Sequence, residues 1–139
     1  GTAILIIKPD NFKVINDTYG HDAGDKTLSL LASTVLLAAG QSGSTARHGG
    51  DVFAVVHKNA NARECLSLAN RILTCIREID LKAVIGTGDL LLTASIGIMA
   101  RRPGDRTLIT KIIDTAFERM LIARNSGGDT ICDSGGDNA

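Results

Sequence analysis

Two groups of residues in this 139-residue chain have types and spacings that could do chemistry. The first is the run Asn16-Asp-Thr-Tyr-Gly-His-Asp-Ala-Gly-Asp25, which leads into a segment of periodic apolar residues. Short polar side chains and glycines gathered where a helix begins offer N–H donors and compact acceptors to an anion or a base. Asp25 could accept two N–H donors at once, as from the N1 and N2 edge of guanine, and Asn16 offers both a donor and an acceptor. The plainer use of the same residues is capping, with Asp22 or Asp25 closing the start of the helix. The second group is Gly49-Gly50-Asp51, followed by Val52 and Phe53. Two glycines let a phosphate come close to backbone, and Asp51 could hold a divalent cation through a hard oxygen. Magnesium sites combine one or two carboxylates with substrate phosphates. The partner carboxylate is expected where the first strand ends, yet that position is Lys8, and Asp10 follows two residues later. A turn of this composition is also, in many proteins, only a turn.

These groups need elements to hold them. Residues 3–7 (AILII) are a short, continuous, β-branched run suited to a strand buried on both faces, ended by Pro9 and Asp10. Within 21–39, Leu28, Leu31, Ala32, Val35, Leu36 and Ala39 recur every three or four residues, an amphipathic helix closed by Gly40. Short strands at 45–48 and 52–56 flank Gly49-Gly50-Asp51 and read as a β-hairpin. A second helix is expected over 62–79, with Leu66, Ala69, Leu73 and Ile76 on one face. A strand over 90–100, a helix over 107–124 and a short strand at 130–132 complete the chain. The order β-α-β-β-α-β is the ferredoxin-like arrangement, here extended by one αβ unit, so the fold class is α+β. In that topology the first strand lies antiparallel to the second strand of the hairpin. Its carboxyl end is therefore expected beside the hairpin turn, which brings residues 8–10 to residues 49–51.

Composition narrows the partners. Fifteen Lys and Arg balance fifteen Asp and Glu, which argues against a general binder of nucleic acid or anionic membrane. Cys65, Cys75 and Cys132 are odd in number and lack C-x-x-C spacing. They read as reduced thiols of a cytoplasmic domain, with no disulfide framework or zinc pattern. No apolar run approaches the roughly 18–20 residues that span a bilayer, so direct membrane insertion by this domain is not expected. Gly-Gly-Asp recurs at 127–129 and 135–137, but only the first copy lies between two strands. Residues 134–139 read as a flexible tail. His21, His48 and His57 show no nucleophile–base pattern, and Phe12, Tyr19, Phe53 and Phe117 read as packing residues. Arg101-Arg102 reads as a solvated pair.

The stretch Phe12-Lys-Val-Ile-Asn-Asp-Thr-Tyr-Gly-His-Asp-Ala-Gly-Asp25, followed by Arg47-His-Gly-Gly-Asp-Val-Phe53, closely resembles the GGDEF domain of diguanylate cyclases. Ser95-Ile-Gly97 and Ala123-Arg-x-x-Gly127 fit the same pattern, so the resemblance runs over residues 3–131. Family members condense two GTP molecules into cyclic di-GMP across a dimer, on a fold similar to the nucleotidyl-cyclase and polymerase palm. The resemblance implies that Asn16 and Asp25 recognise guanine. It puts the backbone of Asn11 and Phe12 on the triphosphate loop, Gly49 and Gly50 against the nucleotide, and Asp51 on a metal position. Arg124 stands where the family carries a phosphate-binding Lys. The family's leading helix would lie before Gly1, so residues 1–133 are expected to form a single domain lacking its N-terminal helix.

The same comparison marks departures. The Asp that ends the first strand and binds metal in active members is Lys8, and the signature's glutamate is Val52. The next family Arg after Arg124 falls on Gly128, and the product-inhibition R-x-x-D falls on Gly40 and Gly43. A unit charge about 4 Å from a divalent ion, at an effective dielectric of ~20, is repelled by roughly 8 kcal/mol. Losing two metal carboxylates and gaining an ammonium removes the charge neutralisation that phosphoryl transfer needs. Lys8 is expected either to pair with Asp51 in the place of the metal or to point to solvent.

No catalytic residue is assigned within the degenerate signature Gly49, Gly50, Asp51, Val52 and Phe53. The expectation is an inactive GTP-binding regulatory module of a bacterial cyclic di-GMP signalling protein, acting on an attached domain such as an EAL phosphodiesterase. A ligand-free scaffold or dimerisation domain is the alternative, and an active cyclase the third reading. No cofactor is expected, with Mg²⁺ present only alongside bound GTP. The expected partners are GTP, an attached regulatory or EAL domain and a second copy of the domain. The location is cytoplasmic, within a parent protein that can itself be membrane-attached.

Overall fold

Five consecutive apolar residues leave a strand no face to offer to water. The computed structural model, which describes residues 1–134, buries them at the centre of the sheet. They lie in β1 (Thr2–Pro9), where Ala3, Ile4, Leu5, Ile6 and Ile7 are each at most 1% exposed. Of the tail expected at 134–139, all but Ser134 lies outside the described residues. The sheet order is β2-β3-β1-β4-β5, with β2 at Ser44–Arg47, β3 at Phe53–Lys58, β4 at Ala94–Arg101 and β5 at Thr130–Cys132. β1 runs antiparallel to both β3 and β4, and β5 joins β4 in parallel. The first four strands in this order are the ferredoxin-like set, and β5 is the additional αβ unit.

Alternation along the strands sorts the core into two layers. Ala3, Leu5 and Ile7 share one layer with Phe53, Val55, Ile96 and Ile98. That layer lies under α2 (His21–Ala39) and α3 (Ala62–Arg77). Ile4 and Ile6 face the other way, onto Ile112, Ala116 and Met120 of α5 (Ile109–Asn125). Gly97 of β4 makes this second layer close, because a Cβ there would overlap the Ala116 carbonyl oxygen and the Met120 nitrogen. α3 begins with a capping box, in which Glu64 N–H donates to Asn61 Oδ1 at 2.7 Å and Asn61 N–H to Glu64 Oε1 at 3.3 Å.

Three segments differ from the pattern-based expectation. Residues 12–19 form a helix of their own, α1 (Phe12–Tyr19), which ends at Gly20, where φ of 91° turns the chain into α2. Phe12, Ile15 and Tyr19 do stand at helical spacing, but the run is only eight residues of weak helix formers with Ile15 alone buried, too short for its stripe to announce a separate helix. A one-turn helix, α4 (Lys82–Ile85), precedes the fourth strand. That strand starts at Ala94 instead of residue 90, because Leu92 drops into the first core layer and is 1% exposed.

The end of β1 is held by Asp10. Its carboxylate accepts Thr93 Oγ1–H at 2.7 Å, Ser95 Oγ–H at 2.6 Å and the Asp129 backbone N–H at 2.7 Å. Its own N–H donates to the Thr93 carbonyl at 2.9 Å. One carboxylate thus ties β1, the start of β4 and the turn before β5. Gly128, at φ of 75°, leaves room for it, since a Cβ there would come within 2.7 Å of the carboxylate. Arg77 adds an outer strut, donating from Nε to Asp129 Oδ1 at 2.7 Å.

Replacing Asp10 by Asn should turn one acceptor oxygen into a donor facing donors. The expected loss is about 2 kcal/mol, seen as a lower urea midpoint with an unchanged slope. Cys65, wholly buried in the first layer, supplies a pH test. Burial first, and the Asp133 carboxylate second, push its thiol up from 9.0 to about 12. The folded value lies above the unfolded one, so this contribution is whole below the unfolded value and lost as pH rises toward the folded one. Stability should therefore fall above about pH 9 in wild type and stay flatter in Cys65→Ala. A thiol reagent at neutral pH should label Cys65 only as fast as the chain opens.

Candidate functional site

Strand register makes the site. Ile7 pairs with Phe53, the first residue of β3, so the end of β1 abuts the hairpin turn. The turn is closed by Val52 N–H donating to the Gly49 carbonyl at 2.9 Å and by His48 N–H donating to Val52 O at 2.7 Å. Gly49 and Gly50 take φ of 95° and 48°, values that favour glycine. A Cβ at either position would meet nothing within 4 Å. These glycines are therefore required by backbone conformation, and the space outside them stays open. Arg47 steadies the turn, donating from Nε to the Gly50 carbonyl at 2.8 Å with its guanidinium 5.7 Å from the Phe53 ring centre.

Lys8 follows Ile4 and Ile6 in the alternation, on the α5 side of the sheet. From there its Nζ reaches Asp51 and lies 2.8 Å from both Oδ1 and Oδ2. Both side chains are about four-fifths buried, at 23% and 22% exposure. Of the two alternatives for Lys8, pairing with Asp51 is the one observed. Val52 and Phe53 supply no charge. Val52 packs in the α5 layer and Phe53, 2% exposed, in the other.

The residues present do not fit the divalent metal that the resemblance implies for active members. Both oxygens of Asp51 already accept from an ammonium, Val52 has no oxygen on its side chain, and Asp10 is committed to Thr93, Ser95 and Asp129. Among the described residues no three His, Cys, Asp or Glu side chains converge.

Asn16 and Asp25 come from different helices that meet at a glycine. A Cβ on Gly24 would overlap Asn16 Oδ1 and stand 3.3 Å from the Phe12 ring. Bare backbone at position 24 lets both side chains lie across the first turns of α2, next to Asp25. The capping role considered for Asp22 and Asp25 is not observed. The N-cap of α2 is Gly20, without a side-chain cap bond. Asp25 is exposed and its carboxylate makes no side-chain hydrogen bond among the described residues. Asn11, at φ of 56°, and Phe12 begin α1 directly after β1. Arg124 is exposed in the last turn of α5. It lies at the same end of the sheet, since Thr130 pairs with Ser95 and Ser95 with Lys8.

The other residues considered from the sequence take structural contacts. The His48 ring tilts against Phe117 at 6.3 Å, and His57 Nδ1 lies 3.3 Å from the Lys58 carbonyl. Arg101 is turned onto the Thr107 carbonyl at 2.7 Å. Sequence reasoning missed the acceptor role of Asp10 and the turn-bracing role of Arg47. The one signal for the former was a hydroxyl, Ser95, within an apolar strand, where burial demands a partner.

Known proteins share the sequence pattern and the fold. Residues 1–130 match the family model described as "Diguanylate cyclase, GGDEF domain". Diguanylate cyclase DosC of Escherichia coli K12 is 34% identical over 129 residues, 93% of this chain and 27% of DosC. Cyclic di-GMP phosphodiesterase PdeR of the same organism is 33% identical over 131 residues, 93% of this chain and 19% of PdeR. The chain thus spans about a quarter or less of the length of these two relatives. Diguanylate cyclase SiaD of Pseudomonas aeruginosa, solved in complex with its activator SiaC, superposes with a TM-score of 0.86 at 26% identity. That match covers 96% of this chain and 50% of SiaD. With residues 1–130 matching the family model and the fold superposing on a solved diguanylate cyclase, the chain belongs to the GGDEF domain family of diguanylate cyclases.

Proposed function

We propose that this domain is a GTP-binding regulatory module of a cyclic di-GMP signalling protein and does not itself join two GTP molecules. The observation that carries the reading is the Lys8 ammonium seated on both oxygens of Asp51, beside a glycine turn that remains open. The ammonium speaks against metal-assisted phosphoryl transfer, and the open turn speaks for continued nucleotide binding. Asn16 and Asp25 present the donor and acceptors that would read a guanine edge. The amides of Gly49 and Gly50, with Lys8 and Arg124, would meet the phosphates. Occupancy would be passed to an attached domain. The similarity to PdeR, a phosphodiesterase, is consistent with an EAL domain in that place.

Calorimetric titration of the chain with GTP tests the reading. Binding in the micromolar range is expected, and Asp25→Ala should weaken it by at least about tenfold, the scale of a lost charge-assisted hydrogen bond. Absence of heat at millimolar GTP would favour a ligand-free scaffold. Cyclic di-GMP made by the longer parent protein, where a dimer can form, would refute inactivity.

A further inference from the structure

The turn at 49–51 carries more than an ion pair. The backbone N–H groups of Gly49, Gly50 and Asp51 make no hydrogen bond among the described residues, while their neighbours His48 and Val52 are both paired. Both glycines are exposed. Successive unpaired amides in a turn with left-handed residues form a concavity that suits an anion. Lys8 stands beside this turn. An ammonium has three N–H donors, and two are directed at the oxygens of Asp51. The third has no protein acceptor among the described residues, and the side chain keeps 23% exposure. Its base is a strand residue fixed by pairing with Ser95.

We infer that Lys8 is the resident cation of this site: it closes Asp51 to divalent metal and meets the phosphate itself, so that nucleoside triphosphate binds here without magnesium. The phosphate half of this inference rests on the GTP-binding reading above; the closure of Asp51 does not. A magnesium ion needs carboxylate oxygens and phosphate together in near-octahedral order. Here the single available carboxylate has both oxygens occupied, and an entering ion would have to expel the ammonium. Lysine, as a compact point charge, serves a phosphate well in that position.

The test uses the 139-residue chain in two arms. In the first, GTP affinity is measured in excess magnesium and in excess EDTA. Wild type should differ by less than about threefold between the two. Lys8→Met should lose at least about tenfold in EDTA and regain affinity when magnesium is supplied, since Asp51 is then free to hold it. In the second arm, manganese is titrated without nucleotide and followed by electron paramagnetic resonance. Wild type should bind none at Asp51, and Lys8→Asp should gain a site that is lost again with Asp51→Asn. Circular dichroism verifies that each variant is folded, and Lys8→Met serves in this arm if Lys8→Asp is not. GTP held by wild type only with magnesium, or manganese bound by wild type through Asp51, overturns the inference and leaves the GTP reading standing. No GTP bound in either buffer overturns the GTP reading and the phosphate half of this inference. The manganese arm then decides by itself whether Lys8 closes Asp51.

Discussion

The antiparallel pairing of β1 with β3 on one side and β4 on the other is the constraint from which the site follows. A strand buried on both faces cannot slip by one residue without turning every side chain to the opposite layer. Ala3, Leu5 and Ile7 must meet the α2–α3 layer, while Ile4 and Ile6 must meet α5. That register fixes Ile7 opposite Phe53 and Lys8 opposite Ser95. The end of the central strand is then delivered to the hairpin turn whatever residue stands there. Position 8 inherits its place from the core and supplies only its charge.

Two opposite charges stand two residues apart at this end, and they do not serve one another. Lys8 reaches toward the β3 side and takes Asp51, whereas Asp10 reaches toward the β4–β5 side and takes Thr93, Ser95 and Asp129. Asp10 therefore cannot substitute for the carboxylate that position 8 lacks. Its oxygens hold the sheet end together, and releasing them to a ligand would leave Ser95, 0% exposed, without a partner. The division between a positioning carboxylate and a site ammonium is set by which neighbour each side chain faces.

Periodicity and topology made much of this legible. The long helix at 21–39, the hairpin and the meeting of residues 8–10 with 49–51 follow from apolar spacing and from strand order alone. The motif residues Asn16, Asp25, Gly49 and Gly50 were visible as well. What stayed hidden depends on contacts that spacing does not encode. The donors to Asp10 lie 83, 85 and 119 residues further along the chain, beyond any local pattern. α1 spans eight residues and α4 four, so the spacing of Phe12, Ile15 and Tyr19 in the first is too brief to stand out and the second leaves no pattern. Capping by Asp22 or Asp25 was a fair local inference that lost to Gly20, whose backbone makes the corner without help.

The exchange of a carboxylate for Lys8 is local in energy as well as in place. A partly exposed ion pair contributes of the order of 0–1 kcal/mol, whereas fully burying one Ile or Leu contributes roughly 1.5–3 kcal/mol. Layers holding Leu31, Val35, Leu68, Ile72 and Ile76, all at most 2% exposed, therefore keep the fold independent of what occupies the turn. Removing the pair would cost the core little, and restoring acidic residues would strain it little. A side chain at this position can change in charge alone, since the core register and not the residue itself fixes the backbone there. Under the GTP-binding reading, what the site can do with a nucleotide is set by the charges at residues 8 and 51, on a scaffold held by the core and not by the turn.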